Sequence, residues 1–528
     1  MGRGQVGTSE QVRAAEIIGT LCLATDLGMG FPFEHGLHTT IIAMHLAHEL
    51  GVDLETRRLT YHAALLTHAG CTTDVHMAVE LFGGSLTEQV NPVMYGRARE
   101  VVPAFLGTIP DPEASGLAKA AQVARRLPRL ARLSKVENAA NCEVAGMLAT
   151  QTGAPSEVQN LLAYKTERWD GRSVLRRASG EAIPVPMRIV AVAVDAALQR
   201  HLGGSEFAAK RVGEHAGHGL DPAITDCLSR HGDAILDLDP TSSAWDAVLD
   251  LEPGPLGILT GEGVDRGLAA MARFTDLVSP LLTGHSMGVA ELAREAARRC
   301  GVDPVEVYRA GLVHDLGRVA VNASTWANDG PLNLDEWEQV RLHPYNTERV
   351  LSRSAFLSPL APIAAGHHER LDRSGYHRGT APADQPVAAR LLAAADVFHA
   401  MCEPREYRDQ LTPEQAAEAI GEEVGRGRLD PDAVGAVVEA AGLRAPKLER
   451  PAGLTEREAQ VVVLLARGHL TKQVAVQLGI ASKTADRHVQ NAYSKMGVSS
   501  RAAATLFAME HGMVTWGELP MGGKGAQS

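Results

Sequence analysis

Seven side chains between residues 285 and 396 have the chemistry of a metal centre: His285, His314, Asp315, His343, His367, His368 and Asp396. Imidazole nitrogens and carboxylate oxygens suit iron, manganese, cobalt, nickel or zinc, and a carboxylate can bridge two ions where an imidazole cannot. Such a set has enough donors for two ions with open positions. A pair of ions of this kind lowers the pKa of a bridging water and clamps phosphate oxygens during an in-line displacement. Taken singly, each histidine reads as a core or surface residue. Adjacent His367 and His368 diverge by about 100° on a helix, so the set rather than any one member carries the expectation.

The elements that must position these residues read as helices. Val289–Cys300 and Thr40–Leu50 place apolar residues at three- and four-residue spacings with charges opposite, and alternating strand-like runs are scarce. The fold class expected is all-α. The 528 residues suffice for several domains, and 45% hydrophobic content excludes a globally disordered chain. A net charge of -12 argues against a protein that mainly coats nucleic acid or anionic membrane, and 4% aromatics argues against base-stacking platforms. The six cysteines form no C-x-x-C pair and read as reduced thiols. No secretory signal is legible at the start, and no stretch approaches the roughly 20 apolar residues of a membrane span. A cytoplasmic location and no membrane partner are expected.

Internal comparison indicates two copies of one helical domain. His35 precedes Gly51 by the same interval as His285 precedes Gly301, and Glu167-Arg168-Trp169-Asp170 precedes Arg188 as Glu369-Arg370-Leu371-Asp372 precedes Arg390. Leu220-Asp221-Pro222 and Leu429-Asp430-Pro431 follow in turn. The expected copies span 10–236 and 265–443, joined by a linker over 237–264, after a disordered segment over 1–9. In the first copy only His35 keeps the residue found at the matching ligand position of the second. Thr67, His68, Asn141, Lys165, Thr166 and Val194 occupy the other positions, so one metal site is expected rather than two. His38, His45, His48, His62 and His76 read as surface or core residues.

The second copy, with His285-Ser286, His314-Asp315-Leu316-Gly317-Arg318, His343-Pro344, His367-His368-Glu369-Arg370-Leu371-Asp372, Gly375-Tyr376 and Ala395-Asp396-Val397-Phe398, closely resembles the HD-GYP family. The resemblance implies an HD-superfamily metal phosphohydrolase, best known for hydrolysing cyclic di-GMP. It implies two divalent ions, iron or manganese first and zinc, cobalt or nickel otherwise. Asp315 would bridge them, His285, His314 and Asp396 would complete one ion, and His343, His367 and His368 the other. Asp315 and Arg318 are the catalytic candidates. Leu281 stands where three-metal members carry an acid, which favours two ions. Arg318 replaces the usual Lys, Arg373 a usual Gly, His377 the Pro of the GYP tripeptide, and His399 a frequent Asp.

After a linker over 444–453, residues 454–514 form a distinct unit, followed by an expected disordered tail over 515–528. Thr455 and Glu458 make a capping box for a helix through Val461, Leu464 and Leu465. A second helix over Thr471–Leu478, the turn Gly479-Ile480-Ala481 and a third helix capped by Ser482 complete a helix-turn-helix. The unit carries seven Lys or Arg against four acids, net +3 on an acidic protein. Leu454-Thr455-x-Arg457-Glu458, Gly468, Gly479-Ile480, Lys483-Thr484-x-x-x-His488-Val489-x-Asn491 and Lys495-x-Gly497-Val498 resemble the four-helix LuxR-type DNA-binding domain. The resemblance implies double-stranded DNA as a partner. It places Lys483, Thr484, Arg487, His488 and Asn491 on the DNA and Lys472 and Lys495 on phosphates. A homodimer is expected, because one short helix-turn-helix supplies little specificity.

These features together predict a transcription regulator with a metal-dependent phosphohydrolase domain acting on a cyclic dinucleotide such as cyclic di-GMP or another phosphoester. The alternative is a ligand-sensing regulator whose HD half binds a nucleotide or metal without turnover. A third reading, a dimerisation scaffold, is disfavoured by the full set of ligands.

Overall fold

A computed structural model describes residues 11–70, 89–111, 114–238, 242–326, 328, 330–404, 409–444, 451–511 and 513–514. The segments expected to be disordered, 1–9 and 515–528, lie outside these residues, as does His76. The architecture is all-α, with one two-stranded antiparallel ribbon in which Gln11–Arg13 pairs with Ile258–Thr260, Val12 opposite Leu259. No described helix is long and apolar enough to cross a membrane.

The chain divides into two compact units, Met1–Thr283 with Leu316–Leu357, and Gly284–Asp315 with Ser358–Ser528. This departs from the boundaries expected from the sequence in two ways. The stretch 237–264, expected as a linker, is built into the first unit. Its helix Ala244–Asp250 buries Trp245 and Val248, and the carbonyl of Val248 accepts a hydrogen bond from the Tyr61 hydroxyl at 3.0 Å. Residues 316–357 also join the first unit. Ser354 donates to Glu16 at 2.6 Å, Arg353 pairs with Glu34 at 2.6 Å, and the Arg349 guanidinium lies 3.8 Å from the Phe33 ring centroid. These polar anchors join residues more than three hundred positions apart, which no local pattern announces.

Within the first unit, helix Ala14–Met29 is buried along nearly its whole length and packs on helices His35–Glu49 and Leu54–Leu66. Helix Val185–His215 lies along His35–Glu49. In the second unit, helix His285–Cys300 packs on Pro304–Val313, Val387–Met401 and Pro431–Ala440.

The two units repeat the same local construction. Helices His35–Glu49 and His285–Cys300 each follow a residue of positive φ, Glu34 at 74° and Gly284 at 86°. Each is followed by a helix whose N-terminal amides are capped by an aspartate, Asp53 or Asp303. Asp170 accepts from the amide of Arg172 at 3.0 Å, as Asp372 does from Ser374 at 2.9 Å. Trp169 donates its amide to Gly219 at 3.0 Å, as Leu371 does to Arg428 at 2.9 Å. Arg188 pairs with Asp221 at 2.8 Å, and Arg390 with Asp430 at 3.0 Å. In both cases that aspartate also caps the helix after it.

The C-terminal helices Glu456–Ala466, Ser482–Met496 and Arg501–Glu510 surround a small core containing Val462, Ala466, Ala492, Met496 and Ala504, and Val474 of helix Thr471–Gln477 packs in a second cluster with Val461, Leu464, Leu465 and Val489. The Thr455–Glu458 capping box forms as expected. Ser482 does not cap the third helix. Ala481 takes the extended cap conformation and Ser482 is the first helical residue, with no side-chain cap bond.

Candidate metal centre and nucleic-acid interface

In the second unit, His285 opens its helix, His314 and Asp315 follow the last turn of Pro304–Val313, and Asp396 lies in the middle of Val387–Met401. His367 and His368 follow the short helix Ala361–Ala364. His285, His314, Asp315, His367 and Asp396 are all buried. Burying this many polar groups is costly unless they are paired or hold an ion.

The distances divide the set about Asp315. Its Oδ2 lies 3.4 Å from His285 Nε2 and 3.1 Å from His314 Nε2, whereas its Oδ1 lies 3.3 Å from His367 Nε2. One carboxylate therefore turns one oxygen to each of two histidine groups. Asp396 Oδ1 is 3.2 Å from His285 Nε2 and 3.9 Å from His314 Nε2. His285, His314 and Asp396 can offer donor atoms to one ion, and Asp315, His367 and His368 to another.

The second nitrogen of each ring shows how the first is aimed. His314 Nδ1 lies 2.7 Å from the Gly311 carbonyl and His367 Nδ1 2.6 Å from that of Ala364. His285 Nδ1 lies 3.0 Å from Glu403 Oε2. A backbone carbonyl only accepts, so Nδ1 of His314 and His367 carries the proton and the Nε2 lone pair faces the centre. This is the outer arrangement usual for metal-ligating histidines. The donor set fits divalent cations of the iron, manganese or zinc type.

Burial pushes Asp396 up, but the hydrogen bond from His285 and the neighbouring imidazoles outweigh it and hold the carboxyl well below the ordinary range. Glu403 follows the same logic. Burial raises it, and hydrogen bonds with His285 and His399 bring it down to about 2. Glu403 was not among the residues singled out in the sequence, and it stands 118 residues from the histidine it orients.

The loop after His368 is held by Glu369, which accepts from the amides of Arg378 at 2.9 Å and Thr380 at 2.7 Å. A Cβ on Gly375 would come within 2.3 Å of the His368 carbonyl, so only glycine fits there. The next residue, Tyr376, sets its ring 4.5 Å from that of His368 at 33°. Arg373 adopts φ 64°, whereas Gly171 fills the matching place in the first unit at φ 70°.

His343 and Arg318 belong to the first unit. Arg318 is half-buried in the turn Leu316–Ala320. His343 is buried at the start of helix His343–Leu351, and its Nδ1 lies 2.6 Å from the Val340 carbonyl, the same i-3 arrangement as His314 and His367. A Cβ on Gly317 would lie 2.0 Å from the His343 carbonyl, which explains the glycine of the HD motif by close backbone approach.

In the C-terminal domain, Ala485, Val489, Ala492 and Met496 form the buried face of helix Ser482–Met496. Lys483, Thr484, Arg487 and Asn491 are exposed and His488 is half-buried. At 100° per residue the four exposed side chains fall on the face opposite the core. Lys472 is also exposed. Lys495 is already engaged, donating to Glu458 at 2.7 Å and to the Gly453 carbonyl at 2.9 Å. Glu458 is buried, and Lys495 supplies its counter-charge within the domain.

The HD domain family matches residues 270–433, and the family described as bacterial regulatory proteins, luxR family, matches residues 452–508. The chain carries an HD domain and, C-terminal to it, a luxR-family domain. The 3'3'-cGAMP-specific phosphodiesterase 3 of Vibrio cholerae is 26% identical over 441 residues, covering 81% of this chain and 95% of that protein. A cyclic di-GMP phosphodiesterase of Thermotoga maritima is 34% identical over 143 residues, which is 26% of this chain and 38% of the relative. A crystal structure of a cyclic GMP-AMP-specific phosphodiesterase from V. cholerae shares the fold, with a TM-score of 0.58 at 23% identity over 82% of this chain and 98% of that one.

Proposed function

We propose that the HD domain hydrolyses a phosphodiester bond of a cyclic dinucleotide and that this activity is tied to DNA binding by the LuxR-type domain. The observation that carries the reading is Asp315, whose two oxygens face two separate histidine groups. Two divalent ions held there would activate water and neutralise charge on the phosphate. His285, His314 and Asp396 serve the first position, and His367 and His368 the second. His343 is assigned to the second position on the resemblance and on its matching Nδ1 anchor. Arg318 is assigned to the substrate phosphate, where its planar fork donates in pairs and stays charged. The Tyr376 ring against His368 limits the motion of that imidazole and offers a flat face near the centre.

The relatives act on 3'3'-cGAMP or cyclic di-GMP by their names, and both belong in the first substrate panel. The matched caps, ion pairs and loop bonds of the two units support a duplicated HD domain whose first copy has lost the metal ligands. A homodimer would let two LuxR-type domains meet two half-sites.

The test is hydrolysis of 3'3'-cGAMP, cyclic di-GMP and bis(p-nitrophenyl) phosphate by the full chain with added divalent metal, beside His367→Ala and Arg318→Ala. Turnover of a cyclic dinucleotide that is lost in His367→Ala supports the enzyme. Tight binding of the dinucleotide without turnover supports a receptor. Arg373, in a backbone conformation that favours glycine, and the His399–Glu403 pair beside His285 favour that second reading.

A further inference from the structure

The first unit contains its own cleft, which the proposed function does not use. Six of the seven first-copy residues that stand at ligand positions line it: His35, Thr67, His68, Lys165, Thr166 and Val194. The seventh, Asn141, does not, and Asn138, one helical turn earlier, does. The cleft encloses about 170 Å³. A cavity of about 150 Å³ holds a benzene-sized molecule, so the space suits a single ring and its substituent, far less than a cyclic dinucleotide.

Its chemistry differs from that of the metal centre. Asp195 reaches the wall, but its oxygens are committed to His215 Nδ1 at 2.6 Å and Gln199 Nε2 at 3.0 Å. Lys165 stands where the second copy has His367, anchored by donation to the Ala69 carbonyl at 2.8 Å. A fixed ammonium thus takes the place of a metal-ligating imidazole. His35 is 3% exposed, and its Nε2 meets no hydrogen-bond partner among the described residues, nor do His68 Nε2 and Thr166 Oγ1. A buried polar atom left unmet is costly, so a ligand that meets it is favoured. Burial lowers the pKa of His35 to about 4 and of His68 to about 3, so both rings are neutral at pH 7 and can each donate or accept. Phe31 stacks on His35 with centroids 4.4 Å apart, and Met94 and Leu198 complete an apolar wall.

We propose that this cleft is a metal-independent binding site for a small ring-bearing anion, a carboxylate or a phosphate ester. The charged group meets Lys165 and the Thr166 hydroxyl, the ring lies against Phe31 and Leu198, and the two imidazoles hydrogen-bond its polar edge. The inference rests on the cleft itself and stands whether or not the second copy turns over.

Isothermal titration of the full chain in EDTA, with benzoate and phenyl phosphate as probes and benzamide as the uncharged control, tests it. One or both anions should bind at one site per chain, with benzamide weaker by at least about tenfold, and the better anion identifies the charged group. Lys165→Met should weaken binding by at least about tenfold, Leu198→Trp should abolish it by filling the space, and Asp315→Ala in the other copy should leave it unchanged. Circular dichroism confirms that each variant is folded, and Thr166→Val replaces Lys165→Met if that variant is not. No binding at millimolar probe, which would leave the cleft to water alone, overturns the proposal. So does binding that survives both Leu198→Trp and the polar substitution.

Discussion

Replacing Glu403 with glutamine should loosen the metal centre without touching any of the seven expected ligands. The Glu403 carboxylate is divided between two imidazoles, with Oε2 3.0 Å from His285 Nδ1 and Oε1 3.1 Å from His399 Nδ1. Its side chain is 14% exposed, so water compensates little. A glutamine keeps one acceptor and turns an NH2 group toward the other ring, so one charge-assisted bond is lost. Bonds of that kind contribute roughly 1.5–3 kcal/mol, which corresponds to a loss of about 10- to 100-fold in metal affinity, the range usual for outer partners of metal-ligating histidines. Competition titration of the full chain against a chromophoric chelator, with Mn2+ and Zn2+, measures the change. Circular dichroism of the metal-free variant should match the parent. If Glu403→Gln and Glu403→Ala both bind metal as the parent does, Glu403 does not hold His285 in place as a ligand.

Three further outcomes follow from particular residues. Arg373 is exposed at φ 64°, so Arg373→Gly should stabilise the second unit by about 1 kcal/mol while Arg373→Ala does not; urea titration of both variants separates backbone from side chain. Lys483→Ala and Arg487→Ala should each cost about 1–3 kcal/mol in duplex binding, and Lys472→Ala should lower the salt slope by about 0.9; unchanged fluorescence anisotropy in all three would remove the assigned face. Lys495→Ala should instead destabilise the C-terminal domain by about 1–3 kcal/mol, seen in thermal melts, because it leaves Glu458 buried without its counter-charge.

That pair also carries a pH dependence. Burial raises Glu458, but the hydrogen bonds from Lys495 and Thr455 outweigh it and hold its carboxyl below the ordinary 4.5. The folded domain thus releases this proton more readily than the unfolded chain. The contribution is complete above the ordinary value and is lost as the pH falls through the lower folded one. Melts of Glu458→Gln should show a weaker dependence over that acid range than the parent; identical profiles would show that the pair does not couple to protons.

The metal-type residues were legible because ligand chemistry is a property of residue identity and because the motifs around them resemble a known family. The helix-turn-helix was equally open, since its caps and amphipathic face are local. What the sequence concealed were partners distant along the chain. Glu403 gives no local sign that it will meet His285, and Lys495 reads as a free cation until Glu458 is found 37 residues away. Residues 237–264 read as a linker because their Gly and Pro content is local, whereas the burial of Trp245 and the pairing with Gln11–Arg13 are not. Glycines 317 and 375 marked family motifs in the sequence, but their reason, backbone approach to His343 and His368, appears only in three dimensions.

If Asp315 joins two ion positions, elemental analysis of the purified chain after metal loading and desalting should find two divalent ions per chain, with at least one lost in Asp315→Ala. A fully loaded Asp315→Ala protein, or a parent chain that retains no divalent metal, would contradict it.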